Sequence, residues 1–240
     1  VAVNQGLPVP LGDTFPLGMH ISPYKGLSYA RQYPGSQHVY GAWNAVSRLD
    51  VIANAGTRRL PGLSYQYPGQ PPLQLGLSID GDTLQPITLS TAQDFDAAAW
   101  LPEALAYQLR PRANVLVIEA GGGLGVLQAL AGGADAVTAL SDNRLIPDAV
   151  SQAAPDFDVY THPDVSLVHE AGRTFLRRPG QAYDLLIFPL TDAYRPVTSG
   201  AYSLGESYLL TVDAFEDALE RLSPGGILMV TRWLQSPPSE

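Results

Sequence analysis

The 240-residue sequence contains no cysteine, which excludes disulfide bridges and thiolate metal ligands. It has a single lysine, Lys25, beside thirteen arginines, and its net charge of −9 argues against binding to nucleic acid or to anionic membrane surfaces. No window contains the roughly 18 consecutive apolar residues that a transmembrane helix requires. The first residues lack the basic flank and apolar core of a signal peptide. We therefore expect a soluble, cytoplasmic domain that does not itself span a membrane.

Histidine is also scarce, and its spacing carries no metal signature. The four histidines, His20, His38, His162 and His169, are scattered and show no paired ligand spacing, so the sequence predicts no bound metal. The chain does not begin with Met, and it ends directly after a strand-like segment. We therefore expect a domain of a longer protein.

The first part of the chain, residues 1–92, has the pattern of an antiparallel β region. A Pro- and Gly-rich arm is followed by short runs at 47–55 and 73–80, which alternate only in part and are bounded by turn residues. Asp80-Gly81 is a strong signal for a tight turn. The sequence therefore predicts a small sheet built from hairpins.

In the second part, residues 93–240, the period changes and strands alternate with helices. The first helix is predicted over 94–111, and the last has Val212, Phe215, Leu219 and Leu222 on one face. Strands are predicted at 115–120, 137–141, 165–170, 183–190 and 225–233, and further helices at 125–131 and 145–153. Near-continuous apolar strands that alternate with helices predict an α/β fold with a mainly parallel, Rossmann-like sheet covered on both faces.

A glycine-rich turn follows the first of these strands. It reads EAGGGLG, with Glu119 and then Gly121, Gly123 and Gly125 at alternate positions. Such a turn lets backbone N–H groups and a helix N-terminus face a polar or anionic ligand group. A dinucleotide site needs its third glycine one residue later, where this chain has Val126, so the spacing favours the nucleoside site of S-adenosylmethionine (SAM) folds over an NAD site. The alternative is that the glycines only allow a helix and a strand to pack closely.

A ribose-binding acid is expected about 20 residues after such a turn, at the end of the second strand. Ser141 stands at this position, and Asp142 follows one residue later. A shift of one residue along a strand turns a side chain to the other face, although a loop can redirect it. Ribose binding and capping of the following helix are equal alternatives for this pair.

Several segments of the chain resemble the spermidine/spermine synthase-like superfamily, especially its bacterial branch fused to multi-pass membrane segments. The resemblance rests on residues 22–27, 61–82, 101–140, 172–188 and 201–233. It implies an N-terminal β-hairpin domain, a class I SAM-methyltransferase-type Rossmann domain, and two further strands that this chain is expected to lack. It also implies binding of SAM or decarboxylated SAM, aminopropyl transfer to a polyamine, and a parent protein in the plasma membrane. A homo-oligomer is left open.

The residues that carry the chemistry of that family are altered here. The resemblance implies an Asp-x-x-Asp motif after the fourth strand, but this chain has Pro189 in place of the first aspartate, which looks like the family's base. Asp192 remains as the candidate catalytic acid. The aspartate that meets the adenine amine is replaced by Ala171, with Glu170 beside it as a substitute acceptor, and Ser141 replaces the ribose-binding acid.

A further acidic segment of the family is reduced to Asp94 and Asp96. Two functions of different classes follow from this pattern. The first is a group transferase of the aminopropyl or methyl type that takes an altered substrate. The second is a non-catalytic domain that senses a ligand or binds a partner within a larger protein. An NAD-dependent oxidoreductase is a third and less favoured alternative.

Overall fold

The computed structural model describes residues 21–82, 84–190 and 209–232, together with the backbone of Leu7–Pro8. Within these residues the chain forms two five-stranded sheets. The first sheet has the order β1-β2-β3-β4-β5, and every neighbouring pair is antiparallel. Its strands are β1 (Leu7–Pro8), β2 (Gln37–Trp43), β3 (Arg48–Ala53), β4 (Gln74–Ile79) and β5 (Gln85–Thr88).

The predicted tight turn lies between β4 and β5. Asp80 and Gly81 both have positive φ angles, 53° and 72°, which is the backbone that tight hairpin turns require. One element of this region contradicts the sequence pattern. A short helix, α1 (Gly26–Arg31), lies where a β-like run was predicted, because Leu27 and Ala30, three residues apart, pack on Ile52 of β3.

The second sheet is entirely parallel and has the order β10-β9-β6-β7-β8. Its strands are β6 (Asn114–Val117), β7 (Ala136–Leu140), β8 (Val165–Val168), β9 (Tyr183–Phe188) and β10 (Leu222–Val230). The helices of this region are α2 (Ala104–Leu109), α3 (Leu124–Ala131), α4 (Leu145–Ala153), α5 (Gly172–Arg177) and α6 (Val212–Glu220). The predicted fold class, an α/β Rossmann-like domain preceded by an antiparallel β region, is confirmed. The boundary at residues 92 and 93 stays a prediction.

Two helix predictions were wrong in detail. The helix predicted over 94–111 is broken into a 3₁₀ helix (Asp96–Trp100) and α2, because Leu101 precedes a proline and adopts an extended backbone with φ −95° and ψ 154°. In α6 the buried residues are Ala214 and Ala218, while Val212 and Leu219 of the predicted apolar face are 74% and 56% exposed. Small alanines allow α6 to lie close to its neighbours, which periodicity alone does not indicate.

The core is arranged around the two faces of the parallel sheet. Val115 and Val117 of β6 lie in one cluster that also contains Val51 and Leu77 of the antiparallel sheet. The alternate residues of β6 face the other side, where Leu116 packs in a second cluster with residues of α5 and α6. The antiparallel sheet and one face of the parallel sheet therefore share a single core.

A buried ionic cluster lies inside the antiparallel sheet. The carboxylate of Asp50 is fully buried and accepts hydrogen bonds from Arg48 Nε and Nη2, each at 2.8 Å. His38 Nε2 lies 2.7 Å from the same carboxylate. Burial raises the pKa of Asp50, but the hydrogen bonds and charges of His38 and Arg48 outweigh it, so the pKa lies below its ordinary value.

This cluster predicts a loss of stability in acid. Because the pKa of Asp50 is lower in the folded than in the unfolded chain, ionised Asp50 stabilises the fold above its unfolded pKa of about 3.9, and this contribution is lost as the pH falls through the folded pKa. At neutral pH we expect Asp50→Asn to lower the free energy of unfolding by about 3–5 kcal/mol, because the Arg48 guanidinium loses its anionic partner.

Urea unfolding between neutral pH and about pH 2 measures both effects. The matched control is Asp135→Asn, which removes an ion pair to Arg112 whose side chains are 53% and 82% exposed and which we expect to contribute less than about 1 kcal/mol. Equal losses in the two variants would contradict a stabilising role for the buried cluster.

Candidate functional site

The predicted site residues all follow strands of the parallel sheet. Because parallel strands end at the same edge, the loops after β6, β7 and β8 and residues 189–190 after β9 lie at the carboxyl edge of this sheet. The strand order reverses direction between β6 and β9, and ligands of open α/β sheets bind in the crevice at such a reversal. The glycine-rich turn lies directly at this point.

The glycine turn has an alternating left-handed backbone. Glu119, Gly121 and Gly123 have φ angles of 50°, 56° and 89°. The turn is fastened to both neighbouring strands, since Ile118 N donates to a β9 carbonyl at 3.0 Å and Ala120 N donates to a β7 carbonyl at 2.9 Å. Glu119 is exposed, whereas the glycines that follow it are buried. The turn therefore presents one carboxylate outward from a tightly held loop.

Close packing accounts for three of the glycines. A Cβ placed on Gly122 would overlap the carbonyl oxygen of Pro86 in β5 and lie 2.8 Å from its carbonyl carbon. A Cβ on Gly121 would lie 2.5 Å from Gln85 Oε1, and one on Gly123 would lie 2.6 Å from a methyl carbon of Val159. These contacts join the turn to β5 and to residue 159, and the helix–strand contact that the alternative from the sequence concerns is the one between Gly125 of α3 and Val117 of β6, where an added Cβ would lie 3.1 Å from Val117 Cγ1.

Tyr160, which the sequence pattern did not indicate, stabilises the glycine turn by a hydrogen bond. Tyr160 lies in a 3₁₀ helix (Val159–Thr161), and its hydroxyl donates to the carbonyl oxygen of Gly121 at 2.6 Å. Burial, with a smaller contribution from the charge of Asp158, raises the pKa of Tyr160 well above its ordinary value, so the phenol stays a donor. A contact between a side chain and a backbone oxygen 39 residues away leaves no local pattern in a sequence.

At the end of β7 the structure separates the two candidate residues. Ser141 is 3% exposed, and its hydroxyl donates to the carbonyl oxygen of Asn143 at 3.1 Å, whereas Asp142 is exposed. The first amide of α4, at Leu145, is capped at 3.1 Å by the side chain of Asn143. Capping by Ser141 or Asp142, the second alternative from the sequence, is therefore wrong.

The end of β8 carries a paired acid. Glu170 Oε2 lies 3.0 Å from a guanidinium nitrogen of Arg178, and the Glu170 side chain is 19% exposed. Ala171 directly precedes α5 in an extended conformation and is exposed. Glu170 is thus near the predicted place for a substitute acceptor, with part of its charge compensated by Arg178.

At the end of β9, Arg232 contacts Pro189, the residue that stands in place of the aspartate expected from the resemblance. Pro189 is half-buried, and its carbonyl oxygen accepts a hydrogen bond from Arg232 Nη1 at 3.1 Å. The same nitrogen donates to the carbonyl oxygen of Thr231 at 2.9 Å. Asp192, the candidate catalytic acid, lies outside the described residues.

The structure adds one buried carboxylate close to this edge. Glu103 is 6% exposed and accepts hydrogen bonds from Gln128 Nε2 at 3.0 Å and from Thr231 Oγ1 at 2.8 Å. Thr231 is itself bonded through its backbone N–H to Phe188, the last residue of β9. Sequence reasoning missed Glu103, and the available signal was an isolated acid in an otherwise apolar segment.

Within residues 21–82, 84–190 and 209–232, no group of three His, Cys, Asp or Glu side chains is placed to hold a metal ion. In the same part of the chain, every helix is too short or too polar to cross a bilayer.

No family model and no curated protein sequence matches this chain. Solved structures do match it. A spermidine synthase in complex with the transition-state analogue AdoDATO is 18% identical over 77% of this chain and 52% of that chain, with a TM-score of 0.47. A spermidine synthase from Thermotoga maritima is 18% identical over 77% and 53%, with a TM-score of 0.48. A SAM-dependent methyltransferase from Agrobacterium tumefaciens is 19% identical over 66% and 51%, with a TM-score of 0.43.

These likenesses concern the fold, and the chain spans about half the length of the spermidine synthase structures that it matches. The predicted resemblance to spermidine synthases and SAM-dependent methyltransferases is confirmed at this level. The assignment of the fold class rests on the strand order itself.

The contact between the glycine turn and β5 yields a second prediction. We expect Gly122→Ala to lower the free energy of unfolding by about 3 kcal/mol, because the added methyl group meets the backbone of Pro86, which cannot move aside as a side chain can. The control is Gly133→Ala, where φ is 77° but no atom lies within 4 Å of the added carbon, so only about 1 kcal/mol of backbone strain is expected. Chemical denaturation compares the two, and a smaller loss for Gly122→Ala than for Gly133→Ala would refute the contact.

Proposed function

We propose that the carboxyl edge of the parallel sheet binds SAM or a similar nucleoside, such as decarboxylated SAM, and that the chain is a group-transferase-type domain. The observation that carries this proposal is the conformation of Glu119. A non-glycine residue in the left-handed region costs roughly 1–2 kcal/mol, and such residues concentrate at functional sites. Glu119 is also exposed, so its carboxylate is accessible to a ligand.

The charge of the ligand supports the same assignment. SAM and decarboxylated SAM both carry a sulfonium and an ammonium group, and a carboxylate at the point where the strand order reverses attracts such cations. Glu119, Asp142 and Glu170 follow three neighbouring strands and make this edge acidic. In this proposal the backbone of Gly121, Gly123 and Gly125 faces the ligand.

The remaining candidates take smaller roles in the proposal. The hydroxyl of Ser141 replaces a carboxylate at the ribose, and Ala171 offers only its backbone to the base. A lost charge-assisted hydrogen bond costs roughly 1.5–3 kcal/mol, so two such losses weaken nucleoside binding by roughly two to four powers of ten. We therefore propose weak binding that depends strongly on Glu119.

Ordinary polyamine synthesis is not part of this proposal. Aminopropyl transfer requires an amine that has lost its proton, and a proline cannot accept that proton. We therefore propose that the acceptor of the transferred group differs from that of the polyamine synthases, and that Asp192 is the catalytic acid. A second candidate function is a non-catalytic ligand-sensing or interaction domain, which is favoured by the hydrogen bond from Arg232 to the carbonyl of Pro189.

Calorimetric titration with SAM, decarboxylated SAM and methylthioadenosine tests the binding. We expect at least one of these to bind the wild-type chain, and we expect Glu119→Gly to weaken it at least tenfold without loss of stability, since glycine adopts the left-handed backbone freely. The matched control is Arg112→Gly, which relieves the same kind of backbone (φ 55°) at the opposite end of β6. Absence of binding, or equal affinity in Glu119→Gly, overturns the proposal.

The two candidate functions predict different fates for the bound nucleoside. If the chain is a transferase, the bound nucleoside is consumed in the presence of an acceptor, and Asp192→Asn stops this consumption while leaving the affinity unchanged. If the chain is a sensing domain, the nucleoside binds and is recovered intact from both proteins.

A further inference from the structure

A cavity of about 440 Å³ lies beside the antiparallel sheet, and the proposed nucleoside site uses none of its residues. Among the described residues it is lined by the residues that lead into α1, the turn between β2 and β3, and the Asp80-Gly81 turn. Its volume falls within the range of roughly 300–1,000 Å³ that small-molecule sites occupy. The size therefore suits one small organic molecule.

The cavity is lined by charges of both signs. Lys25 and Asp80 belong to its wall, and among the described residues no ion pair joins either of them to another side chain. Arg48 also lines it, but its charge is balanced by the buried carboxylate of Asp50. Within the described residues, this wall thus presents one cation and one anion that an occupant can contact.

The rest of the lining is partly apolar. Trp43 supplies an aromatic surface, and Ile21 and Val46 supply aliphatic ones. An occupant that satisfies this wall needs an apolar body as well as a charged end. We propose that the cavity is a binding site for a small zwitterion that carries an ammonium group, a carboxylate and an apolar side chain, which is the chemistry of a free amino acid.

One wall of the cavity is already fixed by hydrogen bonds. Asn44 Oδ1 accepts the backbone N–H groups of Val46 and Ser47 at 2.8 and 3.0 Å. From the other side, Asn44 Nδ2 donates to Asn143 at 3.1 Å, and Asn143 Nδ2 donates to Ser47 Oγ at 2.7 Å. A wall held in place before binding lowers the entropy cost of ligand capture.

The pairing of charges assigns a contact to each charged group of the ligand. The carboxylate of the zwitterion lies at Lys25 and its ammonium group at Asp80. Asp80 Oδ1 accepts the backbone N–H of Arg48 at 2.8 Å, which fixes the orientation of the carboxylate. Loss of either charge from the ligand therefore leaves one charged group of the wall without a partner.

Three ligands that share one body test this assignment by calorimetry. Phenylalanine carries both charges, phenylalaninamide only the cation, and 3-phenylpropanoate only the anion. We expect phenylalanine to bind with a Kd below about 1 mM and each singly charged analogue to bind at least tenfold more weakly. Absence of saturable binding by phenylalanine, or equal affinity of all three, overturns the proposal.

Two variants locate the site. Asp80→Asn removes the charge but keeps an Oδ1 acceptor and a residue that tolerates the left-handed backbone at φ 53°, so the fold should be retained. We expect this variant to bind phenylalanine at least tenfold more weakly and to lose the difference between phenylalanine and 3-phenylpropanoate. Asp135→Asn, a surface change outside the cavity, should leave both affinities unchanged. Unchanged binding in Asp80→Asn shows that the ligand lies elsewhere.

Discussion

The close contact between the backbone of Pro86 and Gly122 is the constraint on which the arrangement of the two sheets depends. Any side chain at residue 122 would meet the carbonyl group of β5, so the two sheets approach as closely as they do only because this residue is glycine. Proline suits the other partner, because β5 is an edge strand of the antiparallel sheet and can lack a backbone donor. The shared core that contains Val51 and Val115 follows from this approach.

The same contact changes how the glycine turn is interpreted. Its pattern predicts a ligand-binding loop, yet the glycines meet β5 and the 3₁₀ helix that carries Tyr160. The glycines therefore allow close packing of the turn against its neighbours. They support nucleoside binding only indirectly, because they allow the backbone of the turn to adopt its left-handed conformation. Glu119 differs from them because it is exposed and is a non-glycine residue with a left-handed backbone. The proposed nucleoside site therefore depends on Glu119 more than on the number of glycines.

Much of the fold was predictable from the sequence, because buried parallel strands are apolar over their whole length and their connections are short. Helix α4 was predicted with the bounds that the structure gives it. The features that were missed depend on partners distant in sequence. Helix α1 forms where Leu27 can pack on β3, and Asn44 bonds to a residue 99 positions away. For the site, the strand ends placed the candidate residues, and the cap of α4 by Asn143 is a local contact two residues long that the sequence pattern could have indicated. The buried position of Glu103 depends on its contact with Gln128, 25 residues away.

The electrostatics of the carboxyl edge also limit the chemistry that it can support. At the end of β6 the exposed residue is the acid Glu119, whereas at the end of β9 the guanidinium of Arg232 is bonded to the carbonyl of Pro189. Two unit charges 4 Å apart interact by about 4 kcal/mol at the effective dielectric constant of a protein surface. A cationic group placed beside the guanidinium of Arg232 would therefore be repelled by it. Because β6 and β9 are adjacent, the nucleoside site that we propose beside Glu119 would border the guanidinium of Arg232 at the end of β9.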